Sequence, residues 1–298
     1  MALIRTLLRD AEGTVAPSVS AVVWEDGREL LVRRPDRVYD LASLTKPLGT
    51  AELALRLVAE GRLSLDAGHA LLPAGVTVRH LLQHAAGWPA WRPLHEGARD
   101  RAEVVARALA EPRVAAPGAV HTYSDLGFLA LGAVIEAVAG RRLDALVPGP
   151  LRWGDRRSEP TDGARGGPVN DLNARAMDGV APHAGLYGSA RDVVACVVRW
   201  LDAAVLPAAL VHRAFTERGP GTHALGWDTP SPGGQSTAGP RPPPDAVGHL
   251  GYTGTSVWLS PARRRVAVLL TNRVAYGVDP LPIRGLRQRW HQEAWELG

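Results

Sequence analysis

Residues 126–139 constrain this chain most. Nearly every position there is apolar, with Glu136 the one charge, so a helix over this stretch has no face to offer to water. A bilayer span takes about 20 apolar residues, so the run is a core helix that other elements must wrap. Directly before it stands a polar turn, Tyr123-Ser124-Asp125. Side chains in such a turn are presented at a fixed point, either as an N-cap or as catalytic apparatus.

A sheet is expected to pack against that helix. Apolar, β-branched runs at 18–24 and 28–32 flank Glu25-Asp26-Gly27, and Asp-Gly between such runs predicts a tight hairpin. Residues 256–259 and 265–272, led by 247–255, read as central strands. Leu3, Ile4, Leu7 and Leu8 fall at helical spacing and predict a short N-terminal helix over the sheet. Residues 281–297, with Leu286, Trp290 and Trp295 among charges, predict a closing amphipathic helix. Ser189 to Asp192 caps a helix through Leu201, and residues 230–244, rich in Pro, Gly and Ser, predict an irregular surface loop.

Composition narrows the function. The formal charge is +4 and the arginines are scattered apart from Arg263-Arg264-Arg265, which is the pattern of solvated faces rather than of a nucleic-acid surface. Cys196 is the only cysteine and lies in an apolar run, so it reads as a packed, inert thiol. Residues 1–9 carry charges without an apolar signal region, and no window reaches membrane length, so a cytoplasmic location is expected. His80 and His84 stand at a metal-ligand spacing, yet no acidic residue lies between them and no third ligand follows nearby. Buried histidines bracing a loop are the reading here. Trp88 and Trp91 read as packing residues before an acyl pocket.

The chemistry centres on Leu41-Ala42-Ser43-Leu44-Thr45-Lys46-Pro47. Positions i and i+3 share a helix face, so a Ser43 hydroxyl at the helix start and the Lys46 amine meet over one turn. Lys46 is also the only lysine among 34 basic residues, the rest being arginine. Arginine keeps its charge everywhere, whereas a partly buried lysine can lose its proton and act as a base. This helix is expected to run to about Glu60, with Pro47 in its first turn, where a missing N–H costs least. Ser43 then sits near the positive end of the helix dipole, its own N–H free for an oxyanion.

Three separated pieces together resemble the serine β-lactamase and penicillin-binding-protein superfamily, in its class C β-lactamase and family VIII carboxylesterase branch. Ala42-Ser43-Leu44-Thr45-Lys46 is similar to the family's Ser-x-x-Lys, and Tyr123-Ser124-Asp125 to its Tyr-x-Asn. His249-Leu250-Gly251 stands where the family has Lys-Thr-Gly or His-x-Gly. Flanking text agrees, including Pro117-Gly118 and His183-Ala184-Gly185-Leu186-Tyr187-Gly188-Ser189-Ala190.

The resemblance implies an α/β (α+β) architecture of the β-lactamase/transpeptidase-like fold, an antiparallel sheet flanked by helices plus an inserted, mostly helical lobe. Residues 1–61 and 186–298 would form the first lobe and 62–185 the second. It implies Ser43 as nucleophile, with Lys46 and Tyr123 sharing its proton, and an oxyanion hole at the backbone N–H groups of Ser43 and Tyr252. Gly251 would let substrate approach the backbone. Asp125 replaces the usual asparagine and should hold Lys46 charged, which favours Tyr123 as the deprotonated partner. His249 replaces lysine and, neutral much of the time at pH 7, grips a carboxylate less.

The expected activity is therefore carboxylesterase-like hydrolysis of small esters or amides through an acyl-enzyme. A weak β-lactamase, a D-amino-acid peptidase or an acyltransferase is the alternative within the fold, and a degenerate ligand-binding module is the alternative of another class. No metal or organic cofactor is expected. The partner is a small molecule, not nucleic acid or membrane, and the oligomeric state is left open.

Overall fold

The computed structural model describes residues 1–147, 149–161 and 166–298. In chain order its helices are α1 (Ala2–Ala11), α2 (Glu52–Ala59), α3 (Val78–Leu82), α4 (Arg101–Ala110), α5 (Asp125–Ala139), α6 (Leu172–Arg175), α7 (Ala190–Leu201), α8 (Ala208–Thr216) and α9 (Leu281–Glu296). The strands are β1 (Val19–Glu25), β2 (Arg28–Arg33), β3 (Val38–Asp40), β4 (Arg152–Trp153), β5 (Leu186–Ser189), β6 (Val247–Leu250), β7 (Ser256–Ser260) and β8 (Arg265–Thr271).

Five strands form an antiparallel sheet in the order β2-β1-β8-β7-β6, and β3-β5-β4 form a smaller one. The expected hairpin closes through Asp26 and Gly27, whose φ angles of 42° and 89° match the left-handed pair that a two-residue turn demands. Among the strands read as central, β7 and β8 are inside the sheet while β6 is its last strand among the described residues, its outer side met only by a single bridge from Asp228 to Gly248. That strand carries His249.

Alternation along the strands splits the core in two. Val19, Ala21 and Val23 of β1, with Ala267 and Leu269 of β8, face Ile4, Leu8, Ile283, Leu286 and Trp290 of α1 and α9. Val22, Val266, Val268 and Leu270 face the other way, into the cluster that holds α2, α5 and α7. Side chains alternate between faces, so this sheet is buried on both sides and its strands read as continuous apolar runs. In α1 only Ile4 and Leu8 of the four expected apolar residues are buried, and Leu3 is exposed.

The apolar run folds as expected. In α5 every residue from Leu126 to Gly132 is buried, and Ser124 caps it by accepting from the Gly127 N–H at 3.1 Å. Gly132 has a packing reason: a Cβ there would lie 2.5 Å from the Pro182 ring. The helix expected from Ser43 to Glu60 is broken into three. A 3-10 turn spans Ala42–Leu44, a π-helical segment spans Lys46–Ala51, and only α2 is α-helical. Pro47 removes one donor from the α ladder at this point, and π segments inside helices recur at functional sites.

Candidate active site

Ser43 sits on a turn that the rest of the molecule holds in place. Ala42 before it has φ 48°, a left-handed conformation that costs a residue with a Cβ. Asp40 stabilises it, one carboxylate oxygen accepting the Ala42 N–H at 2.8 Å and the other the Asn170 N–H at 2.7 Å. Burial pushes the Asp40 carboxyl up to about 6 despite those two bonds. Thr253 Oγ1 donates to the Asp40 carbonyl at 2.8 Å and Thr255 Oγ1 to that of Leu41 at 3.0 Å, so the end of the sheet grips the turn. Ser43 is the one partly exposed residue in the buried run 39–51.

Lys46 is wholly buried. Its Nζ donates to Ser43 Oγ at 2.9 Å and to the His183 carbonyl at 3.3 Å, and meets Asp125 Oδ1 at 2.7 Å. With the Tyr123 hydroxyl also in reach, these acceptors exceed what the two N–H bonds of a neutral amine can serve and suit an ammonium. Burial alone would push the lysine down, but Asp125 and Tyr123 outweigh it and hold the proton on Lys46.

Tyr123 has its ring 4.8 Å from Lys46 Nζ, and its hydroxyl lies within hydrogen-bonding reach of Lys46 and Ser43. Burial raises its pKa and Lys46 pulls the other way without winning. The resting side chain is a phenol, whereas the substitution at Asp125 had suggested a phenolate.

His249 is buried, and burial first, then Lys46, drive its pKa down to about 3. It packs 5.9 Å from the Tyr123 ring, in a cluster with His84 and His223. These three histidines bring one ring nitrogen each within 4.8 Å of one another. Their protons decide what they can hold. His249 donates Nδ1–H to the Leu250 carbonyl at 2.9 Å, which leaves a bare lone pair at Nε2. His84 accepts the Ser124 N–H at Nδ1, 3.0 Å away, so its own proton is on Nε2. A metal ion would need a lone pair where His84 presents an N–H, so this donor set does not fit one. A second group, Asp125, Asp171 and His183, also converges within 4.8 Å, and the cation beside it is the Lys46 ammonium. His80, read with His84 as bracing a loop, caps α3 with Thr77.

Gly251 and Tyr252 follow β6 beside the Ser43 turn. A Cβ at Gly251 would lie 2.0 Å from Thr255 Oγ1 and 2.6 Å from the Leu41 carbonyl, so glycine is required by the turn itself and not only by an approaching substrate. Tyr252 is 53% exposed with Arg273 stacked on its ring at 4.8 Å. Arg273 Nε donates to the Tyr252 carbonyl at 3.0 Å, and Arg287 Nη2 to the carbonyls of Gly251 and Thr255 at 2.6 and 2.7 Å. Asp40, Asp171, Arg273 and Arg287 carried no local sequence signal. Trp88 is core, its Nε1 donating to the Glu111 carbonyl, while Trp91 is exposed.

Residues 4–287 match the family model described as Beta-lactamase. N-acetylmuramyl-L-alanine amidase of Bacillus subtilis (strain 168) is 28% identical, over 83% of this chain and 71% of that protein. A putative D-alanyl-D-alanine carboxypeptidase of Escherichia coli (strain K12) is 25% identical, over 79% and 69%. The crystal structure of a β-lactamase from Mycobacterium bovis superposes with a TM-score of 0.72 at 21% identity, covering 97% of this chain and 98% of that one. No helix among the described residues is long and apolar enough to cross a membrane.

Proposed function

The chain belongs to the β-lactamase family, and we propose that it is a serine hydrolase that opens small esters or amides through an acyl-enzyme on Ser43. The observation that carries this is the 2.9 Å contact between Ser43 Oγ and Lys46 Nζ, with the Tyr123 hydroxyl in reach of both. Lys46, holding three acceptors as an ammonium, is not the resting base. The reactive form is the fraction in which Tyr123 has lost its proton beside that ammonium. Tyr123 then takes the Ser43 proton as Oγ attacks the carbonyl carbon, and returns it to the leaving oxygen or nitrogen. The backbone N–H groups of Ser43 and Tyr252 stabilise the oxyanion. In the second half-reaction a water repeats the attack on the acyl-serine.

The named activities of the two curated relatives favour a second reading within the same chemistry: an amide substrate drawn from cell-wall peptides. Neutral His249 offers no cation to a free carboxylate, so within this reading an internal amide or ester, of the kind the amidase relative's name describes, fits better than a carboxypeptidase substrate or a β-lactam, both of which carry a carboxylate. The deciding experiment is turnover of p-nitrophenyl acetate and butyrate, nitrocefin and an N-acetylmuramyl-L-alanine amide by wild type and Ser43→Ala, with intact-mass detection of an adduct. Ester or amide turnover that vanishes in Ser43→Ala supports the proposal. Equal inertness of both proteins, with no adduct, sinks it in favour of a binding module.

A further inference from the structure

We propose that Asp171 and His183 are a positioning pair that fixes the peptide carbonyl completing the hydrogen-bond shell of Lys46. This rests on the acyl-enzyme reading above.

Of the acceptors around Nζ, one is Ser43 Oγ, which becomes an ester oxygen once the nucleophile has been acylated and then accepts poorly. Asp125, the His183 carbonyl and the Tyr123 oxygen are then left to hold the ammonium through the intermediate. The carbonyl belongs to the backbone, so no substitution at 183 removes it; what the side chain decides is where that peptide sits. Three contacts decide it together. Thr50 Oγ1 donates to the Pro182 carbonyl at 2.6 Å, the Pro182 ring seats in the notch left by Gly132, and the His183 ring meets Asp171 Oδ1 at 2.9 Å. Asp171 is itself fixed, because the same oxygen accepts the Ala174 N–H at 2.7 Å and caps α6.

The pair is built into the cleft floor. His183 is buried, whereas Asp171 is 23% exposed on its side chain and Asp125 18%. Burial pushes the Asp171 carboxyl up, but His183, the cap bond and Lys46 hold it at about 2, so it is an anion at every working pH. The groups that face Lys46 are then two carboxylates, Asp125 and Asp171, the phenol of Tyr123, His183 and the buried histidines His84, His223 and His249. Each carboxylate favours the charged lysine.

The test uses the fact that Lys46 is the only lysine. Protein labelled with 13C-lysine gives a single side-chain signal, and its alkaline titration reports this one amine without assignment. Asp171→Asn is the decisive variant, since asparagine caps a helix as well as aspartate does and keeps an acceptor for His183. The expected result is an unchanged melting temperature, a Lys46 titration moved to lower pH, a basic limb of kcat/KM moved the same way, and kcat down about tenfold with little change in KM. His183→Ala should do the same more strongly, with partial recovery in His183→Asn. The proposal is overturned if the Lys46 titration and the basic limb of Asp171→Asn coincide with wild type. Were wild type inert on every ester and amide while the Lys46 titration still moved, the hydrolase reading would fall and the positioning role would stand.

Discussion

Thr255 Oγ1 donates a 3.0 Å hydrogen bond to the Leu41 carbonyl across 214 positions of sequence, and in doing so ties the β6–β7 turn to the residue two before the nucleophile. The bond is fully buried, and a second one from Thr253 to Asp40 runs beside it. Nucleophile and proposed oxyanion donor are therefore parts of one fastened unit.

Thr255→Val tests that unit. It keeps the shape and removes one of the two hydrogen bonds to the Leu41 carbonyl, which still accepts the Leu44 N–H at 3.1 Å, so the loss of stability should be about 0.5–1.5 kcal/mol. Because the turn bearing Ser43 is released, acylation should slow by more than the stability loss alone explains. Urea unfolding alongside burst kinetics with p-nitrophenyl acetate measures both, and an unchanged burst rate would separate the bond from catalysis.

Tyr123→Phe removes the hydroxyl that reaches both Ser43 and Lys46. A positioned acid-base group contributes roughly 10²- to 10⁴-fold, and kcat should fall within that range while the fold persists. In wild type, kcat/KM should climb towards alkaline pH, because burial keeps Tyr123 mostly protonated at neutrality. A flat profile between pH 7 and 9 in wild type would remove Tyr123 from the role of base.

How much of this was legible in the chain follows from how local each interaction is. Ser43 and Lys46 are three apart, and the Ser124 cap is three from its donor, so spacing alone exposes them. The partner shells are not local. His183 serves Lys46 through a backbone carbonyl, which leaves no mark on residue type, and Asp171 reaches it across a turn-rich stretch. Arg273 and Arg287 hold the oxyanion turn by its carbonyls, but in a chain where arginine supplies nearly every positive charge they look like any other surface arginine. The 3-10 to π break had only Pro47 to announce it, since the apolar spacing of 44–57 continues through it.

Four buried histidines, His84, His223, His249 and His291, all have pKa values lowered chiefly by burial. Each binds a proton in the unfolded chain near its ordinary value and resists it when folded. Their contribution is complete above about pH 6.5 and is lost progressively as pH falls from there towards the lowered folded values. Acid unfolding should therefore begin well above the carboxylate range, and urea midpoints should drop between pH 7 and 5. A midpoint that stays constant over that interval even in an Asp228→Asn background, which removes an opposing carboxyl, would count against histidines held neutral in the fold.

Asp228 opposes that trend and gives the last prediction. It is largely buried, accepts the Thr229 N–H at 2.9 Å, and stands 3.5 Å from His223, which is neutral and returns no charge. Burial raises its carboxyl from 3.8 to about 6. A carboxyl whose folded pKa is raised is most favourable to the fold when protonated, so stability is lost as pH climbs from about 4 to 6 and stays lost above. The two-unit gap corresponds to about 3 kcal/mol at pH 8. Asparagine keeps the acceptor and carries no charge, so Asp228→Asn should raise the urea midpoint at pH 8 and leave it nearly unchanged at pH 4. Measuring both pH values in one titration series settles the sign. A variant less stable than wild type at pH 8 would mean that the anion is paired in the folded protein, with His223 as the cation.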